Sequence, residues 1–138
     1  MINTDNKIKE AQSILQQLLE SKQFYFRDLV PSMLDKVAGV YAIFDTATGK
    51  TLYVGRTINI RRRLYTNHLM GPEANARLKK YLKEDKDRPD IPNMSSAKQY
   101  LIDNCYFQYL PIEETIPRAR IEGLLSFLLD VVYMHKEH

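Results

Sequence analysis

Apolar residues recur along this chain at two different periods, and the switches between them predict the order of elements. Over residues 6–20, Ile8, Ala11, Leu15, Leu18 and Leu19 return at helical spacing, the pattern of an amphipathic helix. Residues 21–38 are mixed, with Phe24, Tyr25 and Phe26 as core material and a short helix expected after Pro31. The period then shortens. In "GVYAIFDTATGKTLYVGRT", residues 39–57, two β-like runs at 40–45 and 51–55 flank the turn-rich "TATGK", the sequence form of a β-hairpin. Asn59 is placed to cap a helix over about residues 60–70, which Gly71-Pro72 stops. "ANARLKKYLKED" predicts a second helix with Ala74, Leu78, Tyr81 and Leu82 inward and its lysines outward. After the loop "KDRPDIPNMSS", a short helix is expected from Ser95 or Ser96, and "CYFQYLPI" predicts a third strand. Pro117 suits a first helical position. The helix from there to about residue 135 carries Ile121, Leu124, Leu125, Leu128 and Val132 on its buried stripe.

The order is therefore α, ββ, αα, β, α. It predicts an α+β fold with a small three-stranded, mainly antiparallel sheet flanked by helices, the third strand pairing either way. Residues 1–37 are expected to form an N-terminal helical extension packed on a domain spanning 38–138. A chain of 138 residues can bury one proper core, and 44% hydrophobic with 27% charged residues excludes wholesale disorder. Cys105 is the sole cysteine, so no internal disulfide forms, and no Cys/His group has zinc-site spacing. The polar start "MINTDNKIKE" is no signal peptide, and Glu122 and Asp130 interrupt the longest apolar stretch, 121–134. No membrane partner and a reducing, cytoplasmic location are the expectations.

Charge changes this picture by its distribution. Between Lys50 and Arg88 eleven Lys and Arg stand against four Asp and Glu, while the rest of the chain is net acidic and the whole carries +3. A basic middle in an acidic frame is either the footprint of a polyanion or a solvated face. Arg61, Arg62 and Arg63 point in three directions on a helix, so one of them should face the hairpin near Tyr53. A guanidinium there suits a phosphate, because its planar fork donates to two oxygens at once. Three solvent-exposed arginines are the plain alternative. Glu122 sits at the edge of an apolar helical stripe beside Gly123, where a carboxylate must be paired, hydrogen-bonded or bound to a metal; an ordinary Arg–Glu pair would suffice. Tyr41 and Tyr53 each occupy a strand of one hairpin. Two phenols on a sheet, an arginine on the next helix and a distant glutamate could surround one phosphodiester. His68 could join them, though a surface histidine explains it as well.

"GVY", then "YVG" starting twelve residues after Tyr41, then Arg63, then Glu122 in "RARIEGLL", resembles the GIY-YIG nuclease family. The resemblance runs from about residue 38 to 130. It implies a DNA endonuclease that hydrolyses phosphodiesters with one divalent ion, Mg2+ or Mn2+. By that resemblance Glu122 holds the metal, Arg63 binds the scissile phosphate, and Tyr53 or Tyr41 activates or positions water. Arg56 stands where relatives often have a basic residue and is expected as an auxiliary phosphate contact. The basic middle of the chain adds Arg61, Arg62, Lys79, Lys80 and Lys83, and the arginine helix His68, as further expected contacts to DNA. Many members carry His or Tyr four residues after the arginine, where this chain has Asn67 with His68 one place later. Many also carry an Asn downstream of the glutamate, and here none follows Asn104. The alternative readings are a nucleic-acid-binding module with the same fold and little cleavage, and an interaction domain acting through the N-terminal helix. A monomer is expected.

Overall fold

The computed structural model describes residues 1–135. It contains a four-stranded antiparallel sheet in the order β1-β4-β2-β3, where β1 is Phe24–Tyr25, β2 Gly39–Asp45, β3 Thr51–Thr57 and β4 Cys105–Pro111. The helices are α1 (Thr4–Glu20), α2 (Arg77–Glu84), α3 (Met94–Asn104) and α4 (Thr115–Leu128), with a π-helix at Arg62–Leu69. The α+β class predicted from the sequence therefore holds, with one more strand: β1 is only two residues long, below what a periodicity argument can see. β4 runs antiparallel to β2 and lies in the sheet's interior beside it. That settles the pairing the sequence left open.

Alternation along β2 builds two cores. Tyr41 and Ile43 face one side with Phe107, Ile60, Leu64, Leu78, Leu82 and Leu101. Val40, Ala42 and Phe44 face the other, where Leu18 of α1 and Leu125 of α4 cover them. The hairpin turn uses Gly49 at φ +73, and the Asp45 carboxylate accepts hydrogen bonds from the Ala47 amide and the Thr48 hydroxyl. Asn93 and Ser96 form a capping box that starts α3.

Four boundaries differ from expectation, the first at the start of α4, where Thr115 opens the helix and Pro117 stands two residues inside it. No helix follows Pro31; residues 31–36 make turns, with Leu34 and Lys36 at positive φ. α2 starts at Arg77, so Ala74 lies exposed ahead of it. α4 stops at Leu128 rather than near 135, and Asp130 turns the chain back at φ +49. The amides of Val132 and Tyr133 then donate to the Thr51 and Leu52 carbonyls at 3.0 Å. This supplies partners to the start of β3, an edge strand whose backbone groups would otherwise need water. Among the described residues, no helix is long and apolar enough to cross a membrane.

Candidate active site

The hairpin register explains its two tyrosines. Tyr41 pairs with Gly55 and Ile43 with Tyr53, so the two phenols are diagonal neighbours on one face, their ring centroids 6.3 Å apart and their planes 19° from parallel. The Tyr41 ring lies across Gly55, where a Cβ would collide with the Tyr41 hydroxyl. The glycine of "YVG" is thus a space-maker for the tyrosine of "GVY". Gly39 answers to a different neighbour, the Leu110 carbonyl of β4, which leaves no room for a Cβ.

Asn59 accepts a hydrogen bond from the Arg62 amide and caps the arginine helix as its sequence suggests. The three arginines separate as helical geometry requires. Arg61 pairs with Asp35, Arg62 is exposed, and Arg63 turns toward the hairpin, its Nε donating to the Tyr41 hydroxyl at 3.4 Å. Burial works against the Arg63 charge, but the Tyr41 and Tyr53 phenols beside it outweigh this and raise its pKa further. On Tyr41 itself burial dominates. With Tyr53 adding to it and Arg63 opposing, it raises the phenol's pKa well above the ordinary value, so Tyr41 stays protonated.

His68 is no surface residue. It is 0% exposed, packs edge-on against both tyrosine rings, and its Nε2 lies 2.8 Å from the Tyr41 hydroxyl. It sits behind Tyr41 instead of lining the cleft, which corrects its assignment as a substrate contact. The π-helix accounts for its position. Bonding from i to i+5 widens each turn by one residue, so the fifth residue after Arg63 returns to the face that the fourth takes in an α-helix. Burial, then Arg63, Lys79 and Arg77, push its pKa well below the usual imidazole value, so the ring is neutral. Its Nδ1 has no hydrogen-bond partner. A buried lone pair left over is less costly than a buried N–H, which favours the proton on Nε2. Tyr41 then accepts from both His68 and Arg63 and keeps its own O–H free to donate.

Lys79 is a second correction. Expected outward and on DNA, it is 3% exposed and donates to the Leu69 and Gly71 carbonyls at 2.7 and 2.9 Å. It holds the end of the arginine helix, where carbonyls lack helical partners. Lys83 pairs with Glu73, and Lys80 is exposed away from the cleft.

The cleft has a volume of about 240 Å³ and is lined by Tyr41, Tyr53, Gly55, Arg56, Arg63, Arg77 and Glu122. The structure therefore brings Tyr41, Tyr53, Arg63, Glu122 and Arg56 together, and leaves Arg61, Arg62, His68, Lys79 and Lys80 outside the lining. Glu122 reaches it although Leu125 of the same helix packs on the opposite sheet face, because β3 is the edge strand. Among the described residues its carboxylate makes no hydrogen bond or ion pair, so the ordinary Arg–Glu pair does not form. Beside it, Gly123 faces open space, and no close approach there explains that glycine. Arg77 was not expected. It precedes the inward Tyr81 by one helical turn, and that spacing was its signal in the sequence.

Residues 37–100 match the family model described as the GIY-YIG catalytic domain. The match contains both tyrosine motifs, Arg63, His68 and Arg77, but stops short of Glu122, whose place in the site rests on the cleft geometry. Comparisons with curated proteins and with solved structures found no match.

Proposed function

We propose, from the premise that residues 37–100 carry the catalytic domain of the GIY-YIG nuclease family, that this protein is a divalent-metal-dependent DNA endonuclease. The observation that carries the reading is the unpartnered Glu122 carboxylate facing three guanidiniums and two phenols in one cleft. The donor set fits a hard cation. Among the described residues no group of three His, Cys, Asp or Glu converges, and Glu122 is the one carboxylate in the cleft lining, so it would be the protein ligand there. A site with one carboxylate would suit Mg2+, which is commonly held through one or two carboxylates. The chemistry such an ion supplies is stabilisation of charge on the phosphate and the leaving oxygen.

The chain's own residues do the rest. Arg63, held in orientation by the Tyr41 and Tyr53 phenols, directs its guanidinium at the scissile phosphate and strengthens as charge builds there. Tyr41 acts as a donor at the cleft floor, since burial keeps it protonated and His68 occupies its lone pair. That leaves Tyr53 as the phenol to position the attacking water. Arg56 adds a phosphate contact from the edge strand.

Nicking of supercoiled DNA with magnesium, with manganese and with chelator tests this reading. Wild-type protein should cut only with a metal. Glu122→Gln should abolish cutting while DNA affinity holds or rises, because an anion has left the phosphate site. Tyr53→Phe should lose cutting with folding unchanged. A wild-type protein that binds DNA and cuts none with either metal would make it a binding module, and an active Glu122→Gln would remove the metal-ligand role.

A further inference from the structure

From Tyr53 in the cleft, a file of tyrosine rings leads to a second hollow. Tyr81 lies 6.4 Å from Tyr53, and Tyr133 lies 6.0 Å from Tyr81 with the planes 11° from parallel. Tyr41 and Tyr53 are buried, whereas Tyr81 and Tyr133 are half-buried and wall a groove of about 610 Å³ with Glu84, Asp85, Lys86, Val132, Met134 and His135. Tyr133 is held at two points. The Tyr133 hydroxyl donates to Asp85 at 2.6 Å, and its amide donates to the Leu52 carbonyl. One side of α2 joins the two hollows: Arg77 lines the cleft, Tyr81 one turn later stands against Tyr53, and Asp85 after another turn fixes Tyr133.

We propose that this groove receives an unpaired nucleobase of the nucleotide next to the scissile phosphate, with Arg77 on the phosphate between them. The inference rests on the nuclease reading and adds a substrate class to it: DNA with an unpaired nucleotide at the cut. Two observations select a base over a phosphate. The groove offers aromatic and apolar walls, on which any base can stack. Among its Asp, Glu, Lys and Arg side chains the carboxylates Glu84 and Asp85 outnumber the one ammonium, Lys86, which disfavours a phosphate there and leaves acceptors for exocyclic amino groups. The cleft supplies the third observation. Three guanidiniums against one carboxylate exceed what a single phosphodiester neutralises once a cation sits at Glu122, so a second phosphate belongs near Arg77. A base reaching Tyr133 has left its own stack, which a paired nucleotide resists and an unpaired one does not.

The test measures affinity in the Glu122→Gln background by fluorescence anisotropy with three synthetic DNAs. These are a continuous duplex, a duplex with a single-stranded flap, and the same flap with abasic units at its first unpaired positions. The flap should bind about tenfold tighter than the duplex, and the abasic flap should fall back to the duplex level. Tyr133→Ser should erase the flap preference and leave duplex affinity alone, its fold checked by thermal melting. Arg77→Ala should weaken binding to all three and lower the slope of log affinity against log salt by about 0.9. An abasic flap that binds as tightly as the intact one overturns the proposal without involving any variant. The nuclease reading then survives if wild-type protein still cuts duplex with metal. If the protein neither binds nor cuts any DNA, both readings fall together.

Discussion

At the scale of single residues, two small features govern the site. Gly55 exists for Tyr41, so Gly55→Ala should push the Tyr41 ring off His68 and Arg63. A buried overpacking of this kind costs about 1–3 kcal/mol, and cleavage should fall further than that loss of stability explains. Denaturant midpoints measured beside nicking rates check this. His68 sets a pH dependence whose sign follows from burial. The unfolded chain protonates it near pH 6.5, about the free value, while the folded ring stays neutral to well below that. The unfolded state thus binds more protons as pH falls, and the stability present above pH 6.5 is lost progressively on acidification. Urea midpoints should drop between about pH 7.5 and 5.5 in wild type. Gln presents an amide nitrogen where Nε2 lies but does not titrate, so His68→Gln should show a flatter dependence. An equally steep one would assign the effect to other groups.

At the scale of elements, the π-helix carries the second half of the site. Its extra residue puts His68 where α-helical spacing would put the fourth residue after Arg63. Removing one exposed residue from that turn should restore α-helical bonding and leave Arg63 and His68 in place. Deletion of Thr66 is therefore expected to retain more than half of the cleavage rate, whereas an extra alanine inserted after Thr66 should abolish it. Circular dichroism melting of both variants separates site geometry from loss of fold. A Thr66 deletion as inactive as the insertion would mean the wide turn itself is required. Lys79 belongs to this scale too, since it fastens the helix's last carbonyls from α2, the element that also carries Arg77 and Tyr81.

For the whole molecule, the sheet is a wall with the site on one side and a second core on the other. α4 joins the two, with Leu125 in the second core and Glu122 in the cleft. α1 completes that core through Leu18, which is fully buried against β2 and α4, and Gln108 of β4 donates to the Leu19 and Ser21 carbonyls. The N-terminal segment should therefore act on catalysis through stability. Leu18→Ala is expected to cost about 2–5 kcal/mol, with cleavage lost in step with unfolding. At a temperature where the variant is fully folded, its rate should match wild type. A slower rate in the folded variant would show that α1 sets the position of Glu122.

The sequence determined much of this by itself, because periodicity and steric demands act locally. Two β-like runs around a turn-rich segment in 39–57 predicted a hairpin with a tyrosine on each strand, and three successive arginines could send only one toward it. Helical spacing likewise placed Leu18 and Leu125 on buried stripes. What it could not disclose depended on contacts between distant segments. The burial of Lys79 needs the free carbonyls of Leu69 and Gly71, and a lysine in a charged helix reads as solvated until those carbonyls are seen. The fit of His68 depends on a turn one residue wider than the pattern assumes, held by a bond from the Met70 amide to the Tyr65 carbonyl. The return of residues 131–133 onto β3 looks like more helix from periodicity alone, since the edge strand that captures it lies far off in the chain. Glu122 meets the tyrosines only because β3 is an edge strand, and strand order is decided when the whole sheet assembles.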